Sequence, residues 1–202
     1  AMRRREVYAT SGPRIAVRTF AGLNLVASGF DQASFPDNLA ADVVPMGGEI
    51  QGAQSGDQFT LMIEASADPR GAYLDRVQVV KGWIDKAGKT HEQVFDVAWS
   101  GDRKPVAGKL PSVGDTVDVA TATYKNNIGA AALTTVWTDP AFDPAISSFY
   151  YLRVLEIPTP SWPAFDAVRY KLKLPPEVRV KSQECAYTSP IWYTPNQNLG
   201  KS

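Results

Sequence analysis

Any chemistry in this chain has to be assembled from few reactive groups. His91 is the single histidine among 202 residues and Cys185 the single cysteine. No multi-histidine metal centre and no disulfide framework can form within the chain, and a Ser/His/Asp triad would have to use His91. That histidine lies just after Gly88, in a predicted strand whose same-face members are Gln93, Phe95 and Val97. No GxSxG elbow accompanies it, so a partly exposed strand histidine is the expectation and catalysis through His91 the outside reading. Asp139 and Asp143 flank a turn and have the oxygen chemistry for calcium, but their spacing is not that of an EF-hand loop, and capping of nearby backbone amides accounts for them better. Sequence-distant acids could also meet as a glycosidase pair, although nothing marks one pair above the others. Val44 to Ile50 (VPMGGEI) lacks the spacing of a phosphate-binding glycine loop and reads as a bend before a strand. Cys185 has no histidine near it in sequence and reads as a structural thiol. Trp83, Trp99, Trp137, Trp162 and Trp192 could form a stacking platform for a sugar or another flat ligand, while most are expected in the core or at its rim.

The elements that must position these groups are mostly strands. Asp75 to Trp99 alternates apolar and polar residues on both sides of Asp85-Lys86-Ala87-Gly88 and predicts one long hairpin. Gln58 to Ala65 puts Phe59, Leu61, Ile63 and Ala65 on one face. Ser147 to Ile157 puts Tyr150, Leu152 and Val154 on one face and Phe149, Tyr151, Arg153 and Leu155 on the other, the pattern of a central strand. Further strands are expected at Arg5 to Gly12, Arg14 to Phe20, Leu23 to Val26, Thr116 to Thr123, Ala130 to Trp137, Val178 to Ala186 and Ser189 to Pro195, with a left-handed turn at Asn126-Asn127. Asp31 to Asp42 and Ser100 to Gly114 read as loops, and Asn196 to Ser202 as a polar tail. Trp162 to Leu172 carries Phe165, Val168 or Arg169, and Leu172 at helical spacing and predicts a short helix whose apolar stripe lies on the sandwich, with partner binding by that stripe as the lesser reading. The expected fold is therefore a mainly all-β antiparallel sandwich, immunoglobulin-like in general architecture, with one or two short helices.

Composition narrows the function classes. Lys+Arg and Asp+Glu number 21 each, which leaves no net field to attract nucleic acid or an anionic membrane. No apolar run approaches the ~20 residues of a membrane span, and the basic start runs into Glu6 instead of a signal-peptide core. A soluble protein is expected, with cytoplasm and periplasm both open. The chain enters the strand-like REVYAT without a lead-in, as a piece of a longer protein would.

Six blocks are distinctive together: REVYATSGPRI (Arg5 to Ile15), VPMGGEI (Val44 to Ile50), Leu74 to Arg103, TVWTDPAFDP (Thr135 to Pro144), YYLRVLEIPTPSW (Tyr150 to Trp162) and TSPIWYTP (Thr188 to Pro195). They resemble the C-terminal part of a bacterial family called domain of unknown function 3604. In that family a preceding domain resembles the PHP metal-dependent hydrolases, and its histidine and carboxylate ligands lie upstream of the blocks seen here. The resemblance implies that residues 1–13 are the trailing segment of a PHP-like domain and that 14–202 form an accessory C-terminal β-sandwich. It also implies a divalent metal in the upstream domain and none in this chain, with that domain, and further copies of the chain, as partners. PHP-like hydrolases carry a similar Thr-Ser-Gly-Pro step where the catalytic domain hands over, which nominates Thr10, Ser11 and Arg14 as contributors to the parent site, against a plain Gly-Pro turn between domains. The leading expectation is an accessory domain without its own catalysis. The alternative is a carbohydrate-type binding module using exposed aromatics.

Overall fold

In a computed structural model, residues 1–25 and 43–196 are described. A 3-10 turn at Met2–Arg4 leads into β1 (Tyr8–Thr10), β2 (Ala16–Leu23), β3 (Val44–Pro45), β4 (Glu49–Gln51), β5 (Phe59–Ser66), β6 (Leu74–Ile84) and β7 (Thr90–Trp99). There follow β8 (Ala132–Thr138), β9 (Ser148–Glu156), β10 (Thr159–Pro160), helix α1 (Trp162–Tyr170), β11 (Lys181–Ser182), β12 (Cys185–Thr188) and β13 (Ile191–Thr194). The fold is mainly β, in two principal sheets. The loop expected over Asp31 to Asp42, the end of the strand expected at Val26 and most of the polar tail lie outside the described residues.

The long hairpin is β6 and β7, in register from Arg76 opposite Trp99 to Ile84 opposite Thr90. Gly88, at φ 79, closes its turn, and Asp85 accepts hydrogen bonds from the Ala87 and Lys89 amides. On its other edge β6 pairs with β9 along most of its length. The far edge of β9 is shared between two short strands, because Ser189-Pro190 interrupts the C-terminal strand: Ala186 faces Val154 before the break, and Trp192 faces Phe149 after it. β1 then pairs antiparallel with β12, and β4 parallel with β13, completing a seven-stranded sheet. The second sheet has the order β3-β2-β5-β8.

The two sheets enclose one core. Ile15, Val17, Phe59, Leu61, Ile63 and Leu133 face it from the smaller sheet; Val77, Val79, Leu152, Val154, Ile191 and Tyr193 face it from the larger. The period of two assigns these positions correctly on β9, where burial alternates throughout, and on β5, where it alternates from Leu61 onward. The Phe59 and Tyr150 rings stack at 4.1 Å across the core and join the two layers.

Inside this core lies an ion pair. Lys81, at an inward position of β6 after Val77 and Val79, is 5% exposed, and Asp139, just beyond β8, is 4% exposed. Lys81 Nζ donates to Asp139 Oδ2 at 2.5 Å and to the Ala141 carbonyl at 2.8 Å; the Tyr150 hydroxyl donates to the same carboxylate oxygen at 2.7 Å. Burial, reinforced by the Asp139 charge, pushes the Tyr150 phenol far up, so it stays a donor. Asp139 also makes the expected turn by accepting from the Ala141 amide, but its second oxygen makes it a link between sheets.

Four sequence expectations are corrected. Thr116 to Thr123 is not a strand: Asp115 and Asp118 accept from the Val117 and Ala120 amides, curling the segment into turns that leave only an Asp118 to Thr123 bridge. The left-handed positions of this loop are Ala122 and Gly129, not Asn126-Asn127. The Asn126 side chain instead binds the Tyr73 amide and the Gly71 carbonyl. No separate strand begins at Leu23, which ends β2 in register with Phe59. Finally, the stripe of α1 does not lie on the sandwich. The chain leaves the large sheet through the β10–β11 ribbon before the helix begins, so only Ala164 is buried and Phe165, Val168 and Leu172 are exposed.

Lys81→Met is expected to lower the unfolding free energy by about 3–5 kcal/mol, because it strands a buried carboxylate. Lys81→Met combined with Asp139→Asn is expected to recover more than half of that loss, read from urea unfolding midpoints.

Candidate functional site

Two concave regions are built from the elements above, one aromatic and one acidic. The first lies at the end of the large sheet where the β6–β7 tip meets the start of β9 and the end of β13, a groove of about 520 Å³. Trp83 and His91 are directly opposed across the hairpin, and their rings stack at 5.1 Å with 13° between planes. Phe149 and Trp192 are opposed across β9 and β13 and approach to 5.3 Å. Gly82 makes this packing possible, since a Cβ there would lie 2.3 Å from Phe149 Cζ. Trp192 remains 39% exposed. Thr90, Glu92, Ser147 and Thr194 add polar groups to the lining.

His91 Nε2 and Asp85 Oδ2 are 2.7 Å apart, and this contact is the leading cause that holds the Asp85 carboxyl below its usual range. The histidine lies within a groove, with serines and a glutamate in the lining. Among the described residues, however, no hydroxyl or thiol hydrogen-bonds its ring. The pair can hold a proton and orient the imidazole; it does not form a triad.

The second region is a cleft of about 510 Å³ lined by Ser11, Gly12 and Pro13, by Tyr124, by Glu156 and Glu184, and by Trp162. Ser11 donates from Oγ to Glu184 Oε2 and accepts from the Cys185 amide at 2.9 Å. Its hydroxyl is thus committed to joining β1 to β12 and to fixing Glu184. Thr10 lies opposite Ala186 and is exposed; Arg14 is exposed, and its amide donates to Asp68 at 2.8 Å. Ser11 alone of these three lines the cleft.

Glu156 was not among the residues singled out from sequence. It is 1% exposed, and its Oε1 has no hydrogen-bond partner among the described residues. Burial first, then the charges of Glu184 and Asp68, push its carboxyl up to about 7. The signal was present in parity: Glu156 follows Tyr150, Leu152 and Val154 on the inward face of β9, where an acid is out of place.

Residues 1–195 match the family described as Protein of unknown function (DUF3604). The chain belongs to the DUF3604 family. No curated protein and no solved structure matches it. Among the described residues of this DUF3604 chain, no group of three or more His, Cys, Asp or Glu side chains is placed to hold a metal ion, and no helix is long and apolar enough to cross a membrane.

Glu156 sets a pH dependence for the DUF3604 fold. Its carboxyl titrates near 7 when folded, against an ordinary 4.5. Between those values the folded state holds the extra proton, so its contribution to stability is full below pH 4.5 and is lost as the pH rises through 7. Glu156→Gln is expected to remove that loss, on the order of 3 kcal/mol, making the variant more stable than the parent at pH 8 and comparable at pH 4.5 in denaturant titrations.

Proposed function

We propose that this chain is the accessory β-sandwich of a larger PHP-like, metal-dependent hydrolase, and that its own contribution is to bind a ligand with flat apolar faces, of carbohydrate type, in the aromatic groove. The PHP-like domain of the same polypeptide would be its first partner, and further copies of the chain a second. The resemblance over nearly the whole chain supports the first part, since the ligand motifs of that hydrolase class lie upstream of the blocks that match. The observation that carries the second part is the groove. Trp192 and Phe149 present ring faces and edges beside the Trp83–His91 stack, with Thr90, Glu92, Ser147 and Thr194 around them. A pyranose has the complementary surface: axial C–H groups for the rings and equatorial hydroxyls for the polar lining.

His91 fits this reading as a wall of the groove. Its hydrogen bond goes to Asp85 and its ring face to Trp83, which leaves it as a flat, rigid, polar-edged surface.

Titration of the chain with neutral and acidic oligosaccharides, followed by tryptophan fluorescence and amide chemical shifts, is expected to show binding that perturbs Trp83 and Trp192. Trp192→Ala should weaken it by about tenfold, the effect of one aromatic contact of ~1.4 kcal/mol. Gly82→Ala should weaken it too, by displacing Phe149. Undiminished binding by both variants would remove the groove from the account. The chain by itself should turn over no phosphoester or ester with added manganese or zinc, and turnover above a heat-denatured control would overturn the accessory assignment.

A further inference from the structure

The acidic cleft shares no lining residue with the aromatic groove. Its carboxylates are short of positive partners. Among the described residues neither Glu156 nor Glu184 forms an ion pair. Glu184 is satisfied by the hydroxyls of Ser11 and Ser182, but Glu156 keeps Oε1 without a partner. An ionised carboxylate in that position is strongly disfavoured unless a cation or a donor reaches it. Gly71 borders this oxygen: a Cβ there would stand 3.4 Å from Oε1 and 3.1 Å from the Asp68 Cβ. Aromatic and proline residues make up much of the remaining wall, Trp162, 81% exposed, together with Tyr124, Phe165 and Pro13, Pro160 and Pro163, with the hydroxyls of Thr159 and Ser161 between them.

We propose that this cleft binds a monovalent organic cation, an ammonium or guanidinium group on a short apolar stem, with its charged head at Glu156 and Glu184 and its stem against Tyr124 and Trp162. A divalent metal is the poorer match, because the cleft offers two carboxylates, one of them already held by serine hydroxyls, and wide apolar walls. An organic cation uses both halves, taking charge-assisted hydrogen bonds at one end and cation–π and apolar contact at the other. The groups that face Glu156 from neighbouring segments are Glu184, Asp68 and Tyr124. The first two are acidic, and backbone amides of Arg14 and Arg70 keep Asp68 ionised. The unliganded carboxyl competes with a proton near pH 7, so binding should tighten from pH 6 to pH 8 with release of a proton.

Calorimetric titration of the full chain at pH 8 with n-butylammonium and n-butylguanidinium is expected to show one saturable site absent with n-butanol. N-acetyl-arginine amide tests whether the head group can come from a protein side chain as well as from a free amine. Glu156→Gln should weaken binding about tenfold or more and abolish its pH dependence. Trp162→Ala, a change at an exposed position that leaves folding intact, should weaken it about threefold. Absence of binding by the folded wild-type chain would overturn the proposal. So would binding unchanged in Glu156→Gln, or displacement of the amine by calcium or manganese at equimolar concentration.

Discussion

The Lys81 ammonium sits between the two sheets, held by Asp139 on one side and lying above the rings of Trp83 and Tyr150, 5.3 Å and 5.7 Å away. Its position constrains much of the rest. Lys81 belongs to the hairpin, Asp139 to the exit from the smaller sheet and Tyr150 to the central strand of the larger, so one carboxylate oxygen ties three segments together. A charge in this environment tolerates little displacement, because each ångström of separation costs more Coulomb energy in a poorly polarisable interior than in water. The pair contributes less by net stabilisation than by specifying one alignment of the two layers.

The concave regions are built on the larger sheet. β9 is the axis of the larger sheet. Its first residues lie beside Trp192 and build the aromatic groove; its last residue, Glu156, lies in the acidic cleft. The break at Ser189-Pro190 lets two short strands pair with β9 in succession, so that one strand serves both ends of the sheet. The same break frees β12 to receive β1, which brings Ser11 to Glu184. The two regions thus depend on opposite halves of one strand and on a single proline-marked interruption.

Much of the scaffold was legible in the residues because strand periodicity is local. The hairpin, the inward set Phe59, Leu61, Ile63 and Ala65, and the two faces of Ser147 to Ile157 need only the alternation of side chains and a glycine in the right place. The errors share a cause as well. In Thr116 to Thr123 the valines alternate as in a strand, yet aspartates hydrogen-bonding ahead of themselves outcompete a ladder with no neighbouring strand. The apolar spacing of α1 correctly predicts a helix, but spacing does not say whether anything lies opposite the stripe, and here the chain has already left the sheet.

By itself the sequence determined the long strands and the helix, the sandwich class, the lack of a histidine-rich or cysteine-rich metal site and membership in the DUF3604 family. Even the two anomalous charges were visible as parity violations, Lys81 after Val77 and Val79 and Glu156 after Leu152 and Val154. Only the tertiary structure decided what becomes of them. Lys81 meets a carboxylate from the other sheet and is neutralised in place, whereas Glu156 keeps one oxygen unpartnered, and burial first, then the charges of Glu184 and Asp68, raises its proton affinity. The difference lies in residues about 58 positions away in one case and on neighbouring strands and loops in the other. Periodicity assigns a side chain to a face, but the charges that meet it there are set by how the sheets are stacked.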